Sequence, residues 1–257
     1  VSHGGTEMGQ GWRTKMIQVK IDGVNTEWDA FLAALPAASP LVFALHSKPC
    51  CRLDLSPDNP ALQGFDPGIT AHFTAFIEQQ LADAGADYAA GGYGENRKLY
   101  AMSPVFSAAN DGGEARTLHL GVDLWLAAGS SVHAVLPGLV HSCQDNAAFG
   151  DYGPTLILEH TLNGRRFYTL YGHLARESMA ASPVGREVQA GDVLGWLGAP
   201  EVNVGWPPHL HFQIITDLLD YIGDYPGVCR PSEAAQWLAR CPDPNLLLRL
   251  PALKNSA

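Results

Sequence analysis

The sequence predicts an α+β chain in which a β-rich barrel or sandwich follows a small α/β region. Between Leu118 and Ile215, short apolar runs are cut by Gly, Pro, Asn and Asp, with no helix-length periodicity. Upstream of residue 92, strand-like and helix-like spacings alternate. The composition, 46% hydrophobic and 16% charged over 257 residues, is that of an ordinary globular chain. These patterns divide the chain into a flexible extension (1–15), a small α/β region (16–92), a β-rich domain (93–231) and a C-terminal helix with its tail (232–257).

Each element has its own signal. "MIQVKIDG", from Met16, alternates like a strand and ends in a turn. "TEWDAFLAAL" opens on the capping type Thr26 and carries apolar residues at helical spacing before Pro36. "PLVFALHS" reads as a buried strand. In "DPGITAHFTAFIEQQLADAGAD", Ile69, Phe73, Phe76, Ile77 and Leu81 share one helical face, and Gly85 stops the helix. His72, beside that stripe, is read as structural. "LHLGVDLWL", "SVHAVLPGLVHS", "PTLILEHTL", "RFYTLYGHL", "EVQAGDVLGWLG" and "HLHFQII" are six strand units separated by turn residues. "SEAAQWLARC" is expected to be a surface helix capped by Ser232, with Glu233 in its first turn.

Charge and cysteine usage exclude several classes. A formal net charge of −10 argues against a nucleic-acid partner, since phosphate binding needs a basic surface. No apolar run approaches the roughly 20 residues that span a bilayer. Neither "VSHGGTEMGQGWRTK" nor "MIQVKIDGVNTEW" holds the apolar stretch of an export signal, so the default expectation is the cytoplasm, or the cell envelope if an upstream signal was removed. Cys50, Cys51, Cys143, Cys229 and Cys241 form no C-x₂-C pair, and their odd number fits five free thiols better than a disulfide framework.

Chemistry concentrates in two short stretches. In "PPHLHFQI", His209 and His211 project to one face of a strand while Leu210 and Phe212 face the other way. In "LHLGVDLW", an even separation of four places His119 and Asp123 on one strand face. Two histidines and a carboxylate are a standard three-ligand set for catalytic zinc, with the fourth position open to water. Either histidine of H-L-H can reach a metal, and spacing does not choose between them. "YTLYGHL" adds His173 at a strand end. His133, His141 and His160 sit on strands without a partner motif and are read as structural.

The order H-x-x-x-D, Y-G-H-L, H-L-H-F within one β-rich segment resembles the lysostaphin-type (LytM-like) zinc metallopeptidases, which cleave peptide bonds of bacterial peptidoglycan. The landmarks "AAGSSVHAVLPGLV", "DYGPTLILEH" and "VQAGDVLGWLG" fit the same family, and the resemblance covers roughly residues 93–216. It implies the β-rich fold of these peptidases (duplicated hybrid motif-like) and one Zn²⁺ per chain held by His119, Asp123 and His211. It also implies His173 and His209 as catalytic, non-ligating histidines. Two neutral imidazoles and one carboxylate leave a positive site, which lowers the pKa of bound water and polarises a carbonyl. No Glu follows the metal ligands as in H-E-x-x-H enzymes, so histidines must handle the protons.

The departures bear on the substrate. Gln213 stands where the family often has Glu, and "GAPEVNVGWPPHLH" replaces a short loop of small residues with Trp206, Pro207 and Pro208. Arg97 (in "YGENRKLY"), Trp206 and Tyr171 are expected to line the substrate groove. "GYGENR" and "WPPHLHFQ" also resemble metallopeptidase segments fused to aminotransferase-like domains, which implies a peptide other than the wall. The function expected is therefore a zinc endopeptidase acting on peptidoglycan or a related peptide, without nucleic acid or membrane span. Two alternatives stand beside it, a non-catalytic zinc-binding or regulatory module on the same fold and an intracellular peptidase with a non-wall substrate. A carrier-domain reading of "VQAGDVLGWLG" fails because no lysine lies between Lys98 and Lys254.

Overall fold

The structure, a computed structural model, describes residues 26–36, 47–63, 66, 69–97, 100, 113–148, 150–203 and 205–254. The strands expected in "MIQVKIDG" and across most of "PLVFALHS" lie outside them. Helix α1 (Thr26–Ala34) and helix α2 (Thr70–Ala84) form where helical spacing predicts them. Gly85, with φ of 59°, caps α2 through its N–H to the carbonyls of Ala82 and Leu81.

The described residues hold twelve strands: β1 (Cys50–Arg52), β2 (Tyr88–Gly91), β3 (Leu118–His119), β4 (Val122–Trp125), β5 (Ser131–His133), β6 (Gly138–Asn146), β7 (Gly153–Leu162), β8 (Arg165–Gly172), β9 (Glu187–Val188), β10 (Val193–Trp196), β11 (His209–Ile215) and β12 (Val228–Cys229). Eight of them form one sheet in the order β1-β2-β4-β11-β8-β7-β6-β9. Among the described residues, only β1 and β2 pair in parallel. β10 with β5 and β12 with β3 make two separate ribbons. The hairpin of β7 and β8 turns through Asn163 and Gly164, both at positive φ (50° and 76°), the conformation a two-residue primed turn requires.

The barrel half of the expectation is corrected: the main sheet is open, not closed. Its end strands β1 and β9 have three and two residues and pair with no further strand among the described residues. Barrel closure needs a ladder that continues around to the first strand. The sheet also runs across residue 92, because β2 pairs β4 in the register Ala89↔Trp125, Ala90↔Leu124 and Gly91↔Asp123.

Strand alternation sorts the two faces. Val122, Leu124, Leu210, Phe212 and Ile214 belong to the largest apolar cluster, whereas Asp123, His209 and His211 face the opposite side. A second cluster contains Leu53, Leu55, Phe73, Ile77, Ala89 and Trp125, binding α2 to the β1–β2 edge.

Ser232 does not cap the C-terminal helix. Pro231 opens a 3₁₀ turn over Pro231–Glu233, helix α4 (Ala234–Arg240, after the short α3 at Glu177–Ala181) starts beyond it, and the Ser232 hydroxyl donates to Glu114 instead. Proline with its fixed φ begins the turn one residue before the serine.

Candidate metal centre

Cross-strand register brings the chemistry together. On the shared face, Gly91, Asp123, His211 and Gly172 occupy one row across β2, β4, β11 and β8. The glycines leave room: a Cβ on Gly91 would lie 2.3 Å from the Leu53 carbonyl oxygen, and one on Gly172 would lie 2.8 Å from the Tyr152 ring. His119 joins from a different direction. It ends β3, which belongs to the ribbon with β12, and the chain breaks at Leu120–Gly121 before β4. His119 and Asp123 therefore meet across a kink rather than along one continuous strand. Gly121 permits it, since a Cβ there would lie 2.7 Å from His211 Nε2 and from the Phe212 carbonyl oxygen.

The donor atoms of His119, Asp123 and His211 all lie within 4.8 Å of one another, and all three residues are buried. His119 Nε2 is 3.0 Å from His211 Nδ1 and 3.4 Å from Asp123 Oδ1, and His211 Nδ1 is 3.1 Å from the same oxygen. The outer nitrogens are committed. His119 Nδ1–H donates to the Gly92 carbonyl at 3.0 Å, and His211 Nε2–H donates to Gln213 Oε1 at 2.9 Å. The Gln213 amide is oriented by its NH₂, which donates to the Pro226 carbonyl and to Cys241 Sγ. With both outer nitrogens protonated, the inner nitrogens of the neutral rings present lone pairs to a carboxylate. Three acceptors face one centre, an arrangement that suits a cation. Burial, with Arg97 adding to it, pushes the His119 pKa down to about 4, which keeps that ring neutral.

Asp123 is held from behind. Arg97 Nη1 donates to Asp123 Oδ2 at 2.5 Å and to the Tyr100 hydroxyl at 2.6 Å, while Nε donates to Glu95 Oε2 at 2.7 Å. Burial alone would raise the Asp123 pKa, but His119 and Arg97 hold it well below the usual carboxylate range.

His173 and His209 stand beside this group, their ring centroids 4.1 Å apart, with His173 6.5 Å from the His211 ring. His209 Nδ1–H donates to the Pro207 carbonyl at 2.7 Å, leaving Nε2 with the lone pair. His173 has φ of 65°, rare for a residue with a side chain. Its backbone is pinned by its own N–H to the Tyr152 carbonyl and by Gly198 N–H to its carbonyl, both at 2.9 Å. Burial lowers the pKa of both rings, that of His173 well below its ordinary value.

A cavity of about 290 Å³ contains the face. Its lining includes all five of these residues together with Arg97 and Trp206. Tyr171 is not part of it. Paired with Phe212 on β11, it points to the opposite face, packs at 5.4 Å from that ring and lies near Thr169 and the Val135 N–H. His133, His141 and His160 hydrogen-bond to the Gly191 carbonyl, the Ser142 hydroxyl and the Pro137 carbonyl, away from the cavity. Sequence reading missed Tyr152, whose hydroxyl lies 3.5 Å from His211 Nε2; its only signal was the "DYGP" landmark.

Residues 117–220 match the model of peptidase family M23. That segment is of the LytM-like M23 family. The chain is 29% identical over 121 residues to glycyl-glycine endopeptidase ALE-1 of Staphylococcus capitis, an alignment that takes in 47% of this chain and 30% of that protein. The chain thus spans less than a third of the length of that relative. Among solved structures, the chain is similar to the catalytic domain of lysostaphin from Staphylococcus simulans (23% identity, 62% of this chain, 96% of that one, TM-score 0.36). It is also similar to a zinc-containing peptidase from Vibrio cholerae (25% identity, 44% and 29% coverage, TM-score 0.33).

Proposed function

We propose that this protein is a zinc metalloendopeptidase that hydrolyses peptide bonds of peptidoglycan or of a related peptide. The observation that carries the reading is the group of three inward-facing acceptors, His119 Nε2, Asp123 Oδ1 and His211 Nδ1, whose outer nitrogens are committed as donors. A two-histidine, one-carboxylate set fits zinc and leaves a position for water. Bound Zn²⁺ supplies a Lewis acid for the scissile carbonyl and lowers the pKa of the attacking water.

The remaining steps belong to the chain. His209, with Nδ1–H fixed on the Pro207 carbonyl, offers Nε2 as the base that takes the water's proton. His173, packed against His209, donates its ring N–H to the developing oxyanion, and His209 passes the proton taken from the water on to the leaving amine, which returns both rings to the neutral state. Burial lowers the pKa of both rings and so keeps them neutral. The family match supports the reaction class, and the intact set of five residues supports an active rather than a regulatory module.

Incubation of the zinc-loaded protein with purified wall fragments and soluble peptides, read by mass spectrometry, tests this. New peptide termini are expected, lost on chelation and reduced roughly 100-fold or more in His209→Ala for a missing proton-transfer group. His209→Ala is expected to retain zinc, and His211→Ala to lose it. A folded, zinc-loaded protein that cleaves neither substrate class contradicts the proposal.

A further inference from the structure

We infer that the substrate carries a bulky apolar side chain on a residue flanking the scissile bond, received in an aromatic-walled recess that residues before 117 build together with Trp125 and Trp206 beside the metal group. This rests on the peptidase reading and names the substrate class of the same site.

One side of the cavity is bounded by Leu55, Phe73, Tyr100, Trp125 and Trp206. Leu55, Phe73 and Tyr100 lie outside residues 117–220, so this wall is largely an addition to the M23 segment. It reaches the reacting groups on both flanks. The Tyr100 ring is 6.3 Å from the His119 imidazole, and Trp125 stacks on His209 at 5.8 Å with an interplanar angle of 21°. A substrate whose scissile carbonyl sits at the metal group between these imidazoles therefore places a flanking side chain against aromatic faces.

The wall is fixed in place. Trp206 makes edge contacts with Phe73 at 6.3 Å and Tyr100 at 5.9 Å. Its loop is tied to α2 by the Thr70 hydroxyl donating to the Gly205 carbonyl at 2.5 Å, and Trp206 N–H donates to the Asn203 carbonyl at 2.9 Å. Trp206 is half-buried, with one part in the packing and the rest available to the cavity. Pro207 and Pro208 restrict the backbone between this wall and His209. The cavity is near the lower end of sizes that enclose a small organic group, and a preformed apolar recess rewards a ligand that fills it. A glycine leaves the aromatic faces wetted and gains nothing from them.

The test uses phosphinic peptide isosteres, which carry a tetrahedral zinc-binding group in place of the scissile bond, with Gly, Ala, Leu or Phe on either side. Affinity is measured on the zinc-loaded full chain, so turnover is not needed. The Leu or Phe compound is expected to bind at least about 100-fold tighter than the Gly compound, the effect of several buried methylenes. Trp206→Ala should reduce that ratio about tenfold, whereas Trp206→Phe, which keeps an aromatic wall and its packing, should largely retain it. Equal or tighter binding of the Gly compound, or an undiminished ratio in folded Trp206→Ala, overturns the inference and leaves the peptidase reading intact. Failure of the chain to take up zinc, seen by metal analysis of the same sample, overturns the peptidase reading and this inference with it.

Discussion

Asp123 gives its two oxygens to different tasks. Oδ2 accepts from Arg97, and Oδ1 faces the inner nitrogens of His119 and His211. Arg97 in turn is fixed by Glu95, whose Oε1 accepts the Leu55 N–H at 3.1 Å, so the carboxylate is positioned by a chain of groups reaching back to the β1 edge. Lysine preserves the charge but cannot span Asp123, Glu95 and Tyr100 with one rigid fork. Arg97→Lys is therefore expected to weaken zinc binding about 10- to 100-fold, the usual scale for losing a group that orients a ligand. Competition with a chromophoric chelator measures it, and an unchanged affinity in a folded variant contradicts the positioning role. That His119, Asp123 and His211 would stand together was legible through the family resemblance, since spacing alone did not choose between His209 and His211. The position of Arg97 behind Asp123 was not, since "YGENR" gives a residue type and a turn but no partner 26 residues away. Tyr171 misled for a simpler reason: alternation puts it opposite the glycine that borders His211.

At the scale of elements, the site depends on β11 lying against β4 in the register His211↔Asp123, with a kink delivering His119 from β3. Same-face spacing correctly joined His209 to His211. The kink was invisible to it, because a four-residue separation reads alike on a straight strand and across a break. Gly121→Ala tests the kink directly: the added methyl would press on the His211 ring and the Phe212 carbonyl. A loss of roughly 1–3 kcal/mol by denaturant melting is expected for such overpacking, together with weaker zinc binding. A variant as stable as the parent with undiminished affinity would show that the close approach is unimportant.

The β7–β8 hairpin carries a separate pH dependence. His160 is fully buried, with Nδ1 on the Pro137 carbonyl at 2.8 Å and Nε2 at 2.7 Å from the Thr169 hydroxyl. Burial pushes its pKa from 6.5 down to about 4, although the Pro137 contact pulls upward. The unfolded chain then binds a proton that the folded chain refuses. The stability from a neutral His160 is fully present above pH 6.5, declines as pH falls toward 4, and levels off below. Its size is about 3 kcal/mol from linkage. In metal-free protein, His160→Gln should flatten the fall in stability between pH 6.5 and 4. A slope equal to the parent's would assign the acid sensitivity elsewhere.

Over the whole molecule, the sheet joins the leading region to the M23 segment. β1 and β2 extend it past Asp123, and Leu53, Leu55, Phe73 and Ile77 close an apolar cluster around Trp125. The turn-punctuated strands from Leu118 to Ile215 were legible as a β-rich unit. Their sheet order was not, because non-neighbouring pairings such as β4 with β11 leave no local trace. The open edge in place of a barrel has the same origin. Binding at a site assembled from β3, β4 and β11 should stabilise the fold as a whole, since the unfolded chain offers no such arrangement. Zinc at 100 times its Kd is expected to add about 2.7 kcal/mol, read as a rise in Tm over the chelated protein. Asp123→Asn should lose most of that increment, and an equal rise in the variant would place the stabilising ion elsewhere.

The most direct measurement is anomalous diffraction at the zinc edge from crystals grown with the metal. One peak per chain is expected, about 2.0–2.2 Å from His119 Nε2, Asp123 Oδ1 and His211 Nδ1, with His173 and His209 outside the coordination shell. A peak at other residues, zinc bound through His209, or no peak in crystals grown with excess metal would contradict it.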